Sequence, residues 1–593
     1  MKKHSSLFKK SLLPLLLSLP LITLNVQANI VLANDQISTQ TIAAAQRYDS
    51  SKDIFHPIYG KNGMVATEQH LATEVGLSIL KQGGNAIDAA VAVGFALAVV
   101  LPNAGNIGGG GFMVLHDAKT GEDFAIDFRE VAPLKADKDM YLDEKGNVVD
   151  GKSLFTHFAV GVPGTVAGME YALKKWGTMP LEKVIEPAIK LAENGFIISD
   201  TLGKTLAVEK DNLGKWESTK AIFFKDEAPL TSGDRLIQKD LAHSLRLIAK
   251  QGAKAFYEGE IAEKIVKEME KHGGLISLED MKSYQVAERK PVTGEYRGYK
   301  IVTMPPPSSG GAHLVQILNI LERYPLNEYG VNSAKAIQHY AEAMKLAYAD
   351  RSEYLGDPDF VKIPLQGLIS KKYANELAQK IQDDKIIPSS EIKPGKPQPY
   401  ESDQTTHYSI MDKFGNAVAV TYTLNLNFGT GIVAQGTGIL LNNEMDDFSS
   451  KPGVPNAFGL IGGTANAIEA KKRPLSSMTP TIVMKDNKPW LVTGSPGGAR
   501  IITTVLQSIL NTIDYDMNVA EAINIPRVHH QWLPDELRIE EGISPDTIHL
   551  LEKQGYKVVT KATMGRVQII QARDDGFYGA SDPRNPDGAT LGY

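Results

Sequence analysis

Glu401 to Asn425 reads ESDQTTHYSIMDKFGNAVAVTYTLN, and this stretch predicts a cleavage point followed by a β-hairpin. His407 to Asp412 and Asn416 to Leu424 consist largely of β-branched, aromatic and small apolar residues, and Lys413, Phe414 and Gly415 between them supply a short turn with a glycine for a left-handed position. With a three-residue loop Asp412 faces Asn416, and counting outward in twos brings Thr405 opposite Thr423. Directly opposed residues have β-carbons about 5 Å apart, so two hydroxyls meet across the hairpin, with Asn425 one step further along the same face. Threonine pairs across strands are ordinary sheet chemistry and by themselves point to nothing more. The preceding stretch changes the balance. Ile386 to Gln404 holds Pro388, Pro394, Pro397 and Pro399, three serines and several charges without an apolar period, the composition of an exposed linker. A threonine that opens a strand directly after such a linker suits a chain cut between Gln404 and Thr405, in which the freed α-amino group is the base for the threonine hydroxyl.

The 593 residues exceed what one hydrophobic core usually organises, so two or more domains or one large sandwich are expected. With 42% hydrophobic and 22% charged residues and a net charge of -6, nothing argues electrostatically for nucleic acid or a membrane surface as partner. Met1 to Ala28 carries Lys2, Lys3, Lys9 and Lys10, then a leucine-rich run from Leu12 to Leu24, then Val-Gln-Ala: the tripartite pattern of a secretory signal peptide. The run is too short for a convincing membrane span, so no membrane association is expected of the mature form. Cleavage is expected after Ala28, with Ala33 as the second choice. The chain has no cysteine, which excludes disulfides, thiolate metal sites and a cysteine nucleophile. Export without cysteine fits a bacterial periplasmic enzyme, with secretion as the second choice.

Gln69 to Gln82 has helical apolar spacing stopped by Gly83 and Gly84, and Ala86 to Leu101 reads as a buried helix interrupted only by Asp88. Gly105 to Phe112 is glycine-rich but lacks the Gly-Lys-Ser/Thr ending of a phosphate loop, so close backbone packing is the better account. Further helices are expected at Leu181 to Glu193, Asp240 to Gln251, Ile261 to His272, Ala334 to Ala349 and Arg500 to Ile513. The 13 histidines show no metal-ligand spacing, so a metal enzyme is not expected, and His529 and His530 have no evident partner. Hairpins are expected at Phe112 to Arg129 and in two stretches after residue 478, which with the Thr405 hairpin makes at least four. Hairpins with long helices before and between them imply an α+β fold of stacked antiparallel sheets covered by helices.

Thr405-Thr-His-Tyr-Ser, GNAVAVTYTLN, LLNNEMDDF, KRPLSSMTPT and GSPGG follow one another in this order. Together they resemble the gamma-glutamyltranspeptidase family of N-terminal nucleophile hydrolases, and the likeness runs from Thr67 to the GASDPR near the C-terminus. The resemblance implies the four-layer αββα sandwich, self-cleavage before Thr405, and two associated subunits, 29–404 and 405–593. It implies that Arg129, in DFRE, and the hydroxyls of Ser476 and Ser477 hold the α-carboxylate of a γ-glutamyl substrate, a planar group suited to a guanidinium fork. Without it, Arg129 would read as a solvated strand end, and Glu444 and Asp447 as an acidic surface turn. With it, Glu444 and Asp447 grip the α-ammonium, Glu444 standing where many bacterial relatives carry glutamine. Gly497 and Gly498 match the oxyanion hole. Asp446 to Gly463 matches the lid loop, with Phe458 where bacterial relatives commonly have tyrosine.

The expected reaction is a two-step acyl transfer that needs no cofactor. Thr405 attacks the γ-amide carbonyl of glutathione or a related γ-glutamyl compound, and the acyl group passes to water or to an amino-acid or dipeptide acceptor. Thr423 orients the Thr405 hydroxyl and Asn425 steadies its surroundings. The alternative is another N-terminal-threonine amidase of the superfamily, acting on poly-γ-glutamate or on acyl side chains.

Overall fold

The hairpin forms in the expected register. Thr406–Asp412 and Ala417–Thr423 pair antiparallel, with Met411 opposite Ala417 and Thr406 opposite Tyr422, which leaves Thr405 opposite Thr423. Gly415 takes φ +92°, and one Asp412 carboxylate oxygen accepts from the N–H groups of Phe414 at 2.8 Å and Asn416 at 3.0 Å, closing the turn. The other oxygen accepts from Ala86 N–H at 2.7 Å, in the first turn of the helix Ala86–Val100, where a carboxylate meets the positive end of the helix dipole.

In this computed structural model, residues 48, 50–393 and 405–593, apart from 452, 455, 458, 459 and 461, are described. The expected signal peptide, most of the linker, Gln404 and Phe458 lie outside the described residues. Ile54–Tyr593 forms one unit, built on two seven-stranded sheets, each antiparallel throughout. The first sheet runs Ala589–Gly592, Gly63–Thr67, Thr406–Asp412, Ala417–Thr423, Gly110–Asp117, Glu122–Phe128, Ala287–Arg289. The second runs Ile58–Gly60, Gly576–Ser581, Gln568–Arg573, Lys488–Gly494, Thr481–Lys485, Tyr299–Thr303, Val292–Tyr296.

Alternation along the strands separates two cores. Tyr408, Ile410, Val418 and Val420 point outward and pack with the wholly buried Ala86–Val100 helix. Met411, Ala417 and Ala419 point inward and join Val483, Val492 and Ile570 of the second sheet, whose far side is covered by the helices Gly310–Leu321, Ala334–Tyr354 and Ile501–Ile513. The layers are therefore αββα. The inward face also carries His407, with Nδ1 2.8 Å from Thr421 Oγ1, and Ser409, whose hydroxyl donates to Gln568 O at 2.9 Å across the gap. A Cβ at Gly494 would come within 2.2 Å of the His407 ring, so this close approach of the sheets needs glycine. Thr405 and Thr423 continue the inward face to its open end.

Asp88, the one interruption in an apolar helix, is fully buried and accepts from Asn85 N–H at 2.8 Å, Thr178 N–H at 2.8 Å, Met179 N–H at 3.0 Å and the Thr178 hydroxyl at 2.6 Å. It closes the capping box with the N-cap Asn85 and also fastens the segment at Thr178 and Met179. Asp88→Ala strands these donors, and we expect a loss of about 2 to 4 kcal/mol in urea unfolding; a loss below about 1 kcal/mol would show that solvent replaces the carboxylate.

Two expectations needed correction. The helix read as ending at Ala349 continues to Tyr354, because its buried face includes polar groups, Gln338, Glu342, Lys345, Asp350 and Arg351, that hide the apolar period. His529 and His530 are not without partners: His529 Nδ1 lies 2.8 Å from Thr503 Oγ1 and Nε2 3.0 Å from Gln531 Oε1, while His530 Nε2 lies 3.2 Å from Asp535. Both are buried structural residues. Among the described residues no helix is long and apolar enough to cross a membrane.

Candidate active site

Thr405 stands at the mouth of the inter-sheet face, nearly buried, with its hydroxyl 3.5 Å from Thr423 Oγ1. Thr423 Oγ1 also accepts from Asn425 N–H at 2.9 Å, a contact possible because Asn425 adopts φ +80° directly after the strand. The Asn425 side chain donates to Asn443 O at 2.9 Å, tying the end of this strand to the turn Glu444–Asp447. On the other side, Arg566 Nη2 donates to Thr405 O at 3.3 Å while its Nε donates to Glu68 at 2.6 Å, and Glu68 accepts from His407 N–H at 3.2 Å. Burial pushes the Glu68 carboxyl up and the Arg566 charge opposes it. The first strand residue is thus held from both flanks.

Arg129 is completely buried at the end of the strand Glu122–Phe128. Its Nη1 donates to Glu444 and its Nη2 to Asp447 at 2.5 Å, while Nε donates to Pro474 O at 3.3 Å; Glu130 Oε2 lies 3.8 Å from Nη1. Three acids around one guanidinium push the Arg129 pKa up. Burial raises Glu130, Glu444 and Asp447 above the usual carboxylate range, and Arg129 pulls each of them back down. Neither the solvated strand end nor the acidic surface turn describes these residues.

One pocket is lined by Arg129, Arg351, Thr405, Thr423, Asn425, Glu444, Asp447, Ser476, Ser477 and Gly498. Gly497 and Gly498 have φ +134° and +53°, a backbone path open to glycine, and Gly498 begins the 3-10 turn that leads into the helix Ile501–Ile513. A threonine hydroxyl, paired charges of both signs, two serine hydroxyls and a Gly-Gly turn share one wall-to-wall site. The family model described as Gamma-glutamyltranspeptidase matches residues 72–592. The chain belongs to the gamma-glutamyltranspeptidase family.

Among its relatives, a glutathione hydrolase proenzyme of Escherichia coli strain K12 is 61% identical over 92% of this chain and 94% of that protein. The crystal structure of a gamma-glutamyltranspeptidase of Helicobacter pylori matches with TM-score 0.54 at 56% identity, covering 56% of this chain and 95% of that one. That of a cephalosporin acylase of Bacillus halodurans matches with TM-score 0.80 at 28% identity, covering 92% and 99%.

Of the residues singled out from sequence, Thr405, Thr423, Asn425, Arg129, Glu444, Asp447, Ser476, Ser477 and Gly498 line this gamma-glutamyltranspeptidase-family pocket, and Gly497 adjoins it through Gly498. Four residues close to them were given no role by sequence. Glu130 lies inside the DFRE motif, where Arg129 drew the attention, and Glu68 directly follows Thr67, where the family likeness begins. Arg566 had no motif, and Arg351 lay beyond the expected end of its helix. A further set was missed outside the pocket. His157, Glu268 and His272 bring possible ligand atoms within 4.8 Å of one another, although the sequence reading found no metal-ligand spacing. The two rings stack at 4.6 Å and 14°, with both Nε2 atoms on one Glu268 oxygen at 3.1 and 3.4 Å. Rings so nearly parallel do not both hold a common ion in their planes, so we read the arrangement as a Glu268 carboxylate hydrogen-bonded to His157, with the His272 ring stacked beside it.

Proposed function

We propose that the chain is a self-cleaving gamma-glutamyltransferase and glutathione hydrolase. The observation that carries this reading is the Thr405 hydroxyl, opposite Thr423 at a strand start, in the same pocket as Arg129, Asp447 and the two serines. Cleavage before Thr405 frees its α-amine, which takes the hydroxyl proton as the oxygen attacks the γ-amide carbonyl. In the uncut chain the Thr405 hydroxyl donates to Thr423 Oγ1, itself fixed by the Asn425 N–H, and Thr423 keeps the oxygen in place once the freed amine takes that proton. The N–H groups of the Gly497-Gly498 turn face the developing oxyanion, a kind of donor whose loss typically costs about 3 kcal/mol of barrier. The amine leaves with the proton, and a γ-glutamyl ester on Thr405 remains for water, an amino acid or a dipeptide to resolve. The substrate's α-carboxylate lies toward the serines and arginines, and its α-ammonium toward Glu444 and Asp447. The two subunits, 29–404 and 405–593, stay associated, and the signal peptide 1–28 directs the enzyme to the periplasm.

Incubation with a chromogenic γ-glutamyl anilide tests the reading, and release of the aniline is expected. The fold likeness to a cephalosporin acylase favours a second reading, an acyl-side-chain amidase of the same superfamily. Turnover of an acyl-side-chain substrate with none of the γ-glutamyl anilide would select it.

Phe458 carries a smaller expectation from the sequence. A tyrosine hydroxyl at this lid position could donate to Asn425, and a neutral hydrogen bond contributes roughly 1 kcal/mol. Phe458→Tyr is therefore expected to change the ratio of transfer to hydrolysis several-fold, with self-cleavage unaffected. Both products measured from one donor, with and without a dipeptide acceptor, decide it; an equal ratio leaves Phe458 as ordinary packing.

A further inference from the structure

The pocket contains two buried arginines whose electrostatic situations differ. Arg129 is surrounded by acid: Glu444 and Asp447 accept from its two terminal nitrogens, and Glu130 stands 3.8 Å away. Arg351 is 4% exposed and projects from the last turn of the buried run in the helix Ala334–Tyr354, yet among the described residues no carboxylate lies within ion-pair distance of it. Its fork ends on hydroxyls instead. Nε donates to Ser309 Oγ at 2.8 Å and Nη2 to Ser477 Oγ at 3.1 Å. Burial lowers its pKa to about 10, with Asp447 acting against that fall, so the group is still a cation at neutral pH.

These contacts give the double-serine turn its geometry. The Ser309 hydroxyl accepts from Arg351 and donates to Ser476 O at 2.8 Å, while Ser309 N–H donates to the same carbonyl at 2.8 Å. Ser476 N–H is in turn held by Pro307 O at 2.9 Å. Ser477 spends a lone pair of its hydroxyl oxygen on Arg351, which leaves the hydroxyl proton to be donated elsewhere in the pocket it lines. An anion entering beside Ser477 would meet a donating hydroxyl and, behind it, the one pocket arginine that makes no direct ion pair among the described residues.

We propose that Arg351 is a positioning and specificity residue for donors with a free α-carboxylate: it holds the Ser477 hydroxyl in its donating orientation and adds, behind that hydroxyl, a positive charge that no carboxylate pairs directly among the described residues. This rests on the proposed γ-glutamyl activity. Lysine at 351 keeps the charge, but its single nitrogen cannot span Ser309 and Ser477 together.

The test compares two γ-glutamyl anilide donors, one with a free α-carboxylate and one with that group as a primary amide, in the processed wild type, Arg351→Gln and Arg351→Lys. The wild type is expected to prefer the carboxylate donor strongly. Arg351→Gln should lose about a hundredfold in kcat/KM on the carboxylate donor, mainly through KM, and about tenfold or less on the amide, so that the preference collapses. Arg351→Lys should restore part of the preference. If Arg351→Gln does not fold or process, Arg351→Lys alone decides, with a rise in KM for the carboxylate donor of about tenfold and a smaller one for the amide. Equal losses on both donors, or no loss on either, overturn the assignment and leave Arg351 a structural residue. A wild type inactive on both donors overturns the functional reading itself and is seen before any variant is measured.

Discussion

Thr405→Ala is expected to accumulate as one uncut chain with no γ-glutamyl anilide hydrolysis above background. The same hydroxyl serves both events. In the precursor it attacks the Gln404 carbonyl, the peptide passes to an ester on Thr405, and water releases the new amino terminus; in the mature enzyme it attacks the substrate amide. Without the hydroxyl neither ester forms. The loss should approach that seen when a hydroxyl nucleophile is deleted from a comparable acyl-transfer enzyme, about six orders of magnitude in kcat. The fold should survive, because the Thr405 side chain is small and its hydroxyl contact with Thr423, at 3.5 Å, is worth at most about 1 kcal/mol. The variant should thus melt close to the wild-type precursor while staying a single band. Edman sequencing of the smaller wild-type chain should read Thr-Thr-His-Tyr-Ser. An active wild type that runs as one uncut chain, or a Thr405→Ala preparation that processes normally, sinks the assignment.

The hairpin was legible because its information is local. A period-two pattern, a glycine at the turn and a loop of known length fix register by counting, and Thr405 opposite Thr423 follows with no tertiary input. The two-sheet sandwich was legible for the same reason: its hairpins and covering helices each announce themselves by period. What sequence hid was buried polarity. The helix Ala334–Tyr354 carries Gln338, Glu342, Lys345, Asp350 and Arg351 on faces packed against protein, so its apolar period fades and its end was read before Arg351. Glu130 and Glu68 were hidden differently: each sits beside a residue whose role is easier to name, and only the folded structure brings Glu130 near Arg129 or Glu68 to Arg566. The residues Glu444 and Asp447 show the opposite case. Composition alone suits an exposed turn, and only the resemblance pointed to a buried charged site.

Asp447→Ala and Arg129→Lys are each expected to lower kcat/KM on a γ-glutamyl donor by about 2 to 5 kcal/mol, roughly thirtyfold to several thousandfold, while leaving cleavage before Thr405 intact. The two act through one ion pair but from opposite sides. Asp447 Oδ2 accepts from Arg129 at 2.5 Å and its Oδ1 accepts from Asn456 at 3.0 Å, so the carboxylate is fixed at the pocket wall, where a substrate ammonium can share it. Alanine removes that anion and leaves Arg129 paired with Glu444, so the buried cation keeps one strong partner and the fold is spared the full cost of an unpaired charge. The loss should therefore fall on substrate binding more than on melting temperature. Arg129→Lys keeps a cation but gives up the planar fork that bridges Glu444 and Asp447. With one nitrogen in place of two, the acids lose their common brace, and the site that orients the zwitterionic end of the donor loosens. The Arg129 guanidinium hydrogen-bonds to Glu444, Asp447, Pro474 and Leu475 and not to Thr405, so cleavage is expected to be spared. Steady-state kinetics on fully processed protein, with melting curves beside them, check both variants. Wild-type kinetics in processed Asp447→Ala would falsify its place in substrate recognition, and a block in cleavage in either variant would show that this acidic cluster also shapes the precursor.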